Sequence, residues 1–200
     1  MNIDTIIFDF GGVLVDWNPR YVFKKYFDNE EKMEWFLANV CTNEWNMEQD
    51  RGRSFAEATK ILQNQFPEHS EMIAKFYGEW EDMLKSDIPG TVEILKELHQ
   101  KYPLYGLTNW SAESIDIAYN RYDFFSLFKG IVVSGEEKLI KPEPEIYQVL
   151  LNRYDLIPEK CLFIDDNLDN VKAAQAQGIN AIQFTTPEKL RKDLEDLNLL

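Results

Sequence analysis

The segment Ile6-Ile7-Phe8-Asp9-Phe10-Gly11-Gly12-Val13-Leu14 is a short apolar run that ends in one carboxylate and then two glycines. A run of this length, bounded by turn residues, predicts a fully buried strand. In open α/β sheets, ligands bind in the crevice beyond the carboxyl ends of the strands. The strand would therefore deliver Asp9 to a crevice, and Gly11 and Gly12 would let the backbone approach whatever Asp9 touches. Read alone, the same pattern also fits an Asp that merely caps a turn, so the rest of the chain must decide.

Beyond the first strand (Asp4 to Asp9), the segment from Trp17 to Lys85 changes character. It holds four of the five tryptophans and no strand signal. Asn29 is placed to cap a helix carrying Met33, Phe36, Leu37 and Val40. Ser54 and Glu57 form a capping box before Phe55, Ala58, Ile61 and Leu62. Ser70 is placed to cap a helix running through Ile73, Phe76, Trp80, Met83 and Leu84. From Pro89 onward, helices and strands alternate. Strands are predicted at 103–108, 130–134, 161–166 and 181–184. Helices are predicted at 91–100, from Ser111 through Ala118, around Ile146 to Leu150, at 167–177 closed by Gly178, and from Thr186-Pro187 onward. This alternation predicts an α/β fold, a doubly wound Rossmann-like parallel sheet covered on both faces. The expected organisation is a core of residues 1–16 and 86–200, with an all-helical cap at 17–85 inserted after strand one and lying over the C-terminal edge of the sheet.

The 200 residues are 44% hydrophobic and 14% aromatic, enough for a core, and the formal net charge is −14. That charge argues against a nucleic acid or an anionic membrane as partner. The two cysteines, Cys41 and Cys161, lie far apart in no metal-binding spacing and read as buried free thiols. With no leader and no run of about 18 apolar residues, a cytoplasmic chain is expected.

Parallel strands would bring Asp9, Thr108-Asn109, Lys141 and Asp165-Asp166 to one edge. Clustered carboxylates repel unless a cation joins them. Asp9 and Asp166, with Asp165 beside them, offer hard oxygen ligands suited to Mg²⁺, and no His or Cys joins the set to favour zinc. With Mg²⁺ and Lys141 present, Asp9 would be ionised and able to attack phosphorus, giving an aspartyl phosphate. Thr108 and backbone N–H groups after the strands would hold phosphate oxygens. Trp17 and Arg20 after the first motif and Trp110 after the second are placed to line the pocket. Arg20, Arg51 or Arg53 could meet an anionic substrate.

Phe8-Asp9-Phe10-Gly11-Gly12-Val13, Leu107-Thr108-Asn109, Lys141-Pro142-Glu143-Pro144 and Phe163-Ile164-Asp165-Asp166-Asn167 together resemble the four ordered motifs of the haloacid dehalogenase-like hydrolase superfamily. The resemblance spans the whole chain. The helical segment looks like that superfamily's subfamily I cap, and the motif variants look most like the epoxide-hydrolase N-domain-like and sugar-phosphate phosphatase branch. The resemblance implies that Asp9 is the nucleophile and a Mg²⁺ ligand, that Gly11 gives the metal its carbonyl, and that Asp166 is a further ligand with Asp165 nearby. It also implies that Thr108 and the Asn109 amide bind the phosphoryl group and that Lys141 steadies Asp9 and the phosphate. Asn170 falls where many relatives carry a supporting carboxylate.

One departure from the pattern is Gly11, which stands where phosphatases of the superfamily carry an Asp acting as general acid and base. Such assistance is typically worth about 10²–10⁴-fold. Three readings follow: a phosphatase with a substitute proton donor (His69 in the cap being one candidate) or with good leaving groups, a 2-haloacid dehalogenase-type hydrolase, or a weakly active binding module. The first is preferred, as a Mg²⁺-dependent hydrolase of small phosphomonoesters, sugar phosphates above all. The expected partner is a small phosphorylated metabolite, with no nucleic acid and no membrane, in a chain working as a monomer or weak homodimer.

Overall fold

A computed structural model describes residues 2–200. In chain order the strands are β1 (Thr5–Phe8), β2 (Val15–Trp17), β3 (Leu84–Asp87), β4 (Leu104–Thr108), β5 (Phe128–Val133), β6 (Cys161–Asp165) and β7 (Asn180–Gln183). Five of them form a parallel sheet in the order β5-β4-β1-β6-β7. The chain steps outward from β1 through β4 to β5, then crosses back through β6 to β7. The strand order therefore reverses at β1, and the crevice of a doubly wound sheet opens at such a point.

Helices α1 (Arg20–Phe23), α2 (Glu30–Asn39), α3 (Asn43–Asp50), α4 (Phe55–Gln65) and α5 (Ser70–Gly78) lie between β2 and β3. Around the sheet are α6 (Pro89–His99), α7 (Ile115–Arg121), α8 (Ser134–Glu137), α9 (Pro144–Arg153), α10 (Leu168–Ala176) and α11 (Pro187–Asp196). Alternate residues of each strand face opposite sides. Ile6, Phe8 and Leu104 pack with Leu95 and Leu98 of α6 and Leu190 and Leu194 of α11. Ile7, Leu107 and Phe163 pack with Ile146 and Leu150 of α9 and Ala174 of α10. A one-residue slip of β1 would exchange its two faces. With each large aliphatic side chain contributing about 1.5–3 kcal/mol on burial, the register is strongly specified.

The helix starts follow the sequence where a capping side chain is present. Asn29 Oδ1 accepts from Lys32 N at 2.9 Å and Ser54 Oγ from Glu57 N at 3.2 Å. Three expectations are corrected. The helix opened near Ser70 has His69 at its cap position and ends at Gly78, a poor helix former, and Trp80–Met83 then tightens into a 3₁₀ turn. Leu84 begins β3, which pairs antiparallel with β2 through Val15–Asp87, Asp16–Ser86 and Trp17–Leu84. This ribbon was not expected, because three or four residues are too few to display a period of two. After β4, the helix starts at Ile115, whereas Ser111 organises the turn before it by accepting from Glu113 N at its Oγ.

Cys41 and Cys161 are free and buried, as expected. Among the described residues, no helix is long and apolar enough to cross a membrane.

Candidate active site

Asp9 follows β1 directly. Its N–H continues the ladder to Ile164 O at 2.9 Å, and its Oδ1 accepts from Phe10 N at 2.7 Å. The Phe10 carbonyl then accepts from Val13, Leu14 and Val15 N at 3.2, 2.8 and 2.9 Å, folding the loop into a tight turn. Gly12 is required there twice over. Its φ is +75°, and a Cβ would lie 2.6 Å from Asp166 Oδ2. Gly11 is different, since a Cβ at that position would meet nothing within 4 Å.

Lys141 is fully buried among carboxylates. Its Nζ lies 2.9 Å from Asp9 Oδ1 and 2.7 Å from Asp165 Oδ2, and it also donates to Leu107 O at 2.9 Å. Asn109 holds the lysine's backbone from both sides. Its Nδ2 donates to Lys141 O at 2.9 Å, and its Oδ1 accepts from Lys141 N at 2.8 Å. The Asn109 side chain is thus engaged with the lysine loop. Asp165 accepts from Lys141 Nζ, from Asn167 N at 2.8 Å, and from Asn170 Nδ2 at 3.1 Å on both oxygens. Four hydrogen bonds satisfy this buried carboxylate, which orients Lys141. Asp166, the next residue, is exposed.

The electrostatics follow from this crowding. Burial pushes the Asp9 carboxyl up to about 8; Lys141 opposes the rise, while Asp165 and Asp166 add to it. Asp166 is raised by desolvation and by Asp165. For Lys141, burial opposes its charge, but Asp165 and Asp9 outweigh burial and hold its pKa above the ordinary value. One oxygen from each of Asp9, Asp165 and Asp166 falls within 4.8 Å of the others. An all-carboxylate donor set with surplus negative charge fits a hard divalent cation.

On the adjacent strand end, Thr108 is completely buried and its hydroxyl has no hydrogen-bond partner among the described residues. A buried hydroxyl left unpaired costs on the order of 1–3 kcal/mol. Beside it, between the strand ends and the helical insert, lies a cleft. Trp17, Phe55, Trp80 and Trp110 give it an aromatic lining, and Gly11, Asn109 and Asp50 reach it from the two sides. Trp80 and Trp110 meet edge-on at 5.5 Å, and Trp110 Nε1 donates to Ser114 Oγ.

Trp17 and Trp110 line this cleft, whereas the arginines are engaged with other groups. Arg20 makes a two-pronged pair with Glu34, 2.5 Å at each contact, and lines a separate cleft. Arg51 pairs with Glu143 at 2.7 and 2.8 Å, and Arg53 donates to Gln49 Oε1 and Trp45 O. His69 packs against Trp35 and Phe36 in a different hollow, which removes it as a proton donor. Sequence reasoning passed over Asp50. Its visible signal is a carboxylate on the last residue of a helix, where the helix dipole disfavours an anion.

Segment 50–55 is stapled to the core at three points. Ser134 Oγ donates to Asp50 O at 2.6 Å, Arg51 holds Glu143, and Phe55 N donates to Glu113 Oε1 at 3.0 Å. Gly52, with φ +102°, brings this segment close to the Gly135 carbonyl.

Asp9 at a strand end, a buried lysine and a carboxylate cluster thus meet at one edge of a doubly wound sheet. The family model for haloacid dehalogenase-like hydrolases matches residues 3–178, and the chain belongs to that family. It is 30% identical over 181 residues to a sesquiterpene phosphatase of Aspergillus oryzae, covering 90% of this chain and 88% of that protein. A phosphorylated carbohydrates phosphatase of Thermotoga maritima is 27% identical over 187 residues, covering 90% and 84% respectively. Among solved structures, a family enzyme of Bacteroides thetaiotaomicron in complex with magnesium and inorganic phosphate superposes with a TM-score of 0.70. It is 23% identical and covers 92% of this chain and 95% of that one, a likeness of fold.

Proposed function

We propose that the protein is a Mg²⁺-dependent phosphatase of small phosphomonoesters, with residues 1–16 and 86–200 as catalytic core and 17–85 as its cap. The observation that carries this reading is the orphaned Thr108 hydroxyl beside a lysine-held Asp9 and a surplus of carboxylate. A phosphoryl group would give that hydroxyl its partner and Lys141 a further anion. Asp9 attacks phosphorus as the ester bond to the leaving alcohol breaks, and water then hydrolyses the acyl phosphate, releasing inorganic phosphate. Thr108 and the N–H groups beyond β4 hold phosphoryl oxygens. Asn109 acts by holding the Lys141 backbone, and Asp165 by orienting its ammonium.

Asp9, Asp166 and the Gly11 carbonyl are the groups that would hold Mg²⁺, which when bound neutralises the carboxylates and the charge on the phosphoryl oxygens. The aromatic lining, with Trp17 and Trp110 at its edge, and the pairing of Arg20, Arg51 and Arg53 with other groups support a substrate with a single phosphate and an uncharged remainder. Sugar monophosphates come first in this class. Isoprenoid phosphates share its two features, and the relatives named above act on both chemistries according to their names. The dehalogenase reading leaves Thr108 without a partner and gives the three carboxylates no cation beyond Lys141.

A panel of phosphomonoesters assayed for phosphate release, with Mg²⁺ and with chelator, tests the proposal. Activity is expected only with the metal, on monophosphates rather than bisphosphates, and is lost in Asp9→Asn. Silence across the panel, with metal-free halide release from 2-haloacids, would reject it.

A further inference from the structure

The absence of a side chain at Gly11 removes the proton donor that hydrolysis of an unactivated phosphate ester needs. It also leaves open space in that direction, continuous with the aromatic cleft. Across the cleft, at the end of α3, stands Asp50, the one titratable side chain among the described residues that line it. We propose that Asp50, carried by the cap, is the general acid and base of this enzyme, taking the place of the carboxylate missing at Gly11. The proposal rests on the phosphatase reading and deepens it.

Three features of the structure support it. The segment bearing Asp50 is stapled to the core by Ser134, Glu143 and Glu113, so the carboxyl is presented from a held backbone and not from a swinging loop. Its side chain has one weak side-chain partner, Asn46 Nδ2 at 3.5 Å, lies near the Ser111 backbone N–H, and forms no ion pair among the described residues. Burial pushes its carboxyl up to about 7, with the Ser111 backbone N–H and the Lys141 charge holding it from rising further. Tyr77 of α5, raised chiefly by burial, also feels the Asp50 charge. A carboxyl that keeps its proton near neutrality is suited to general acid catalysis.

The steps balance. Protonated Asp50 gives its proton to the leaving oxygen as the phosphorus–oxygen bond to the alcohol breaks and the Asp9–phosphorus bond forms. The resulting Asp50 carboxylate takes a proton from the water that attacks phosphorus. Alcohol and inorganic phosphate leave, and Asp50 is protonated again.

Leaving-group dependence tests this, because a merely structural role would affect all esters alike. kcat/KM is measured for an alkyl phosphate and for p-nitrophenyl phosphate, whose anion departs without a proton. The proteins are wild type, Asp50→Asn and Asp50→Asn with Gly11→Asp, each checked by circular dichroism and thermal melting. Asp50→Asn should lower kcat/KM on the order of 10²-fold for the alkyl ester and less than about tenfold for the aryl ester. Adding Gly11→Asp, whose Cβ meets nothing within 4 Å, should restore alkyl ester hydrolysis. An equal fall on both esters, or no fall on either, overturns the assignment of Asp50 while leaving the phosphatase reading in place. A wild type that cleaves neither ester overturns both.

Discussion

Lys141 Nζ stands 2.9 Å from Asp9 Oδ1 and 2.7 Å from Asp165 Oδ2, so that one buried ammonium bridges two buried acid groups. Removing the cation leaves the fully buried Asp165 unpaired, and breaking a buried pair in this way costs about 3–5 kcal/mol. Lys141→Met should therefore lower the melting temperature by roughly 6–20 °C for a domain of this size and abolish turnover. Lys141→Arg should rescue neither property, because a planar fork is no substitute for a compact ammonium between two oxygens. Differential scanning calorimetry, beside a phosphate-release assay, gives both readouts.

Thr108→Val separates a binding role from a structural one. Valine keeps the shape and deletes a buried hydroxyl that has no partner among the described residues. Stability should be unchanged or slightly higher, since an unsatisfied group has been removed. kcat/KM for a phosphomonoester should fall on the order of 10²-fold, as when one donor to a developing anion is lost. A clear fall in melting temperature with unchanged turnover would place the hydroxyl in the fold and not in the site.

The raised Asp9 carboxyl gives a pH signature. Its pKa in the folded chain, about 8, lies above the ordinary 3.8. The folded state thus favours the protonated form, and this contribution to stability is present at low pH and lost as pH rises through that window. Mg²⁺ requires the ionised form, so its binding competes with the proton. The rise in melting temperature caused by Mg²⁺ should grow from about pH 5 to about pH 8 and then level off. A shift that is constant across this range, or that shrinks, contradicts the assignment of Asp9 as the metal's ligand.

The two-pronged pair between Arg51 and Glu143 joins the inserted helices to the loop that carries Lys141. Both side chains are about one-third exposed (36% and 34%), so a double-mutant cycle with Arg51→Met and Glu143→Gln should give a coupling of about 1 kcal/mol, weaker at high salt. If this contact holds the cap closed, KM should rise in Arg51→Met more than kcat falls. A coupling near zero with unchanged KM would remove the latch from the account.

The sheet was legible from sequence because buried parallel strands are continuous apolar runs, and because Asp9, Thr108 and Asp165 each stand where such a run stops. The helix starts at Glu30 and Phe55 were legible through the Asn29 and Ser54 caps. What escaped prediction has physical causes. The ribbon of β2 and β3 is too short to show alternation, and a 3₁₀ turn at Trp80–Met83 preserves spacing that reads as continued helix. The partners of the arginines are set by tertiary proximity. Arg20 finds Glu34 fourteen positions on, and Arg51 finds Glu143 ninety-two positions on, neither of which a local pattern encodes. Asp50 escaped for the same reason, since its surroundings depend on a cleft lined by Trp17, Asp50 and Phe55 together with Asn109 and Trp110, residues far apart in sequence.

The claim on which the rest depends is that phosphorus becomes bonded to Asp9. Acid-quenching the enzyme during turnover of a phosphomonoester with Mg²⁺, followed by peptide mass spectrometry, tests it directly. A phosphoryl group is expected on the peptide containing Asp9, at the Asp9 carboxyl, and none in Asp9→Asn. Sustained turnover with no phosphoryl on that peptide, or with the group on another residue, would contradict it.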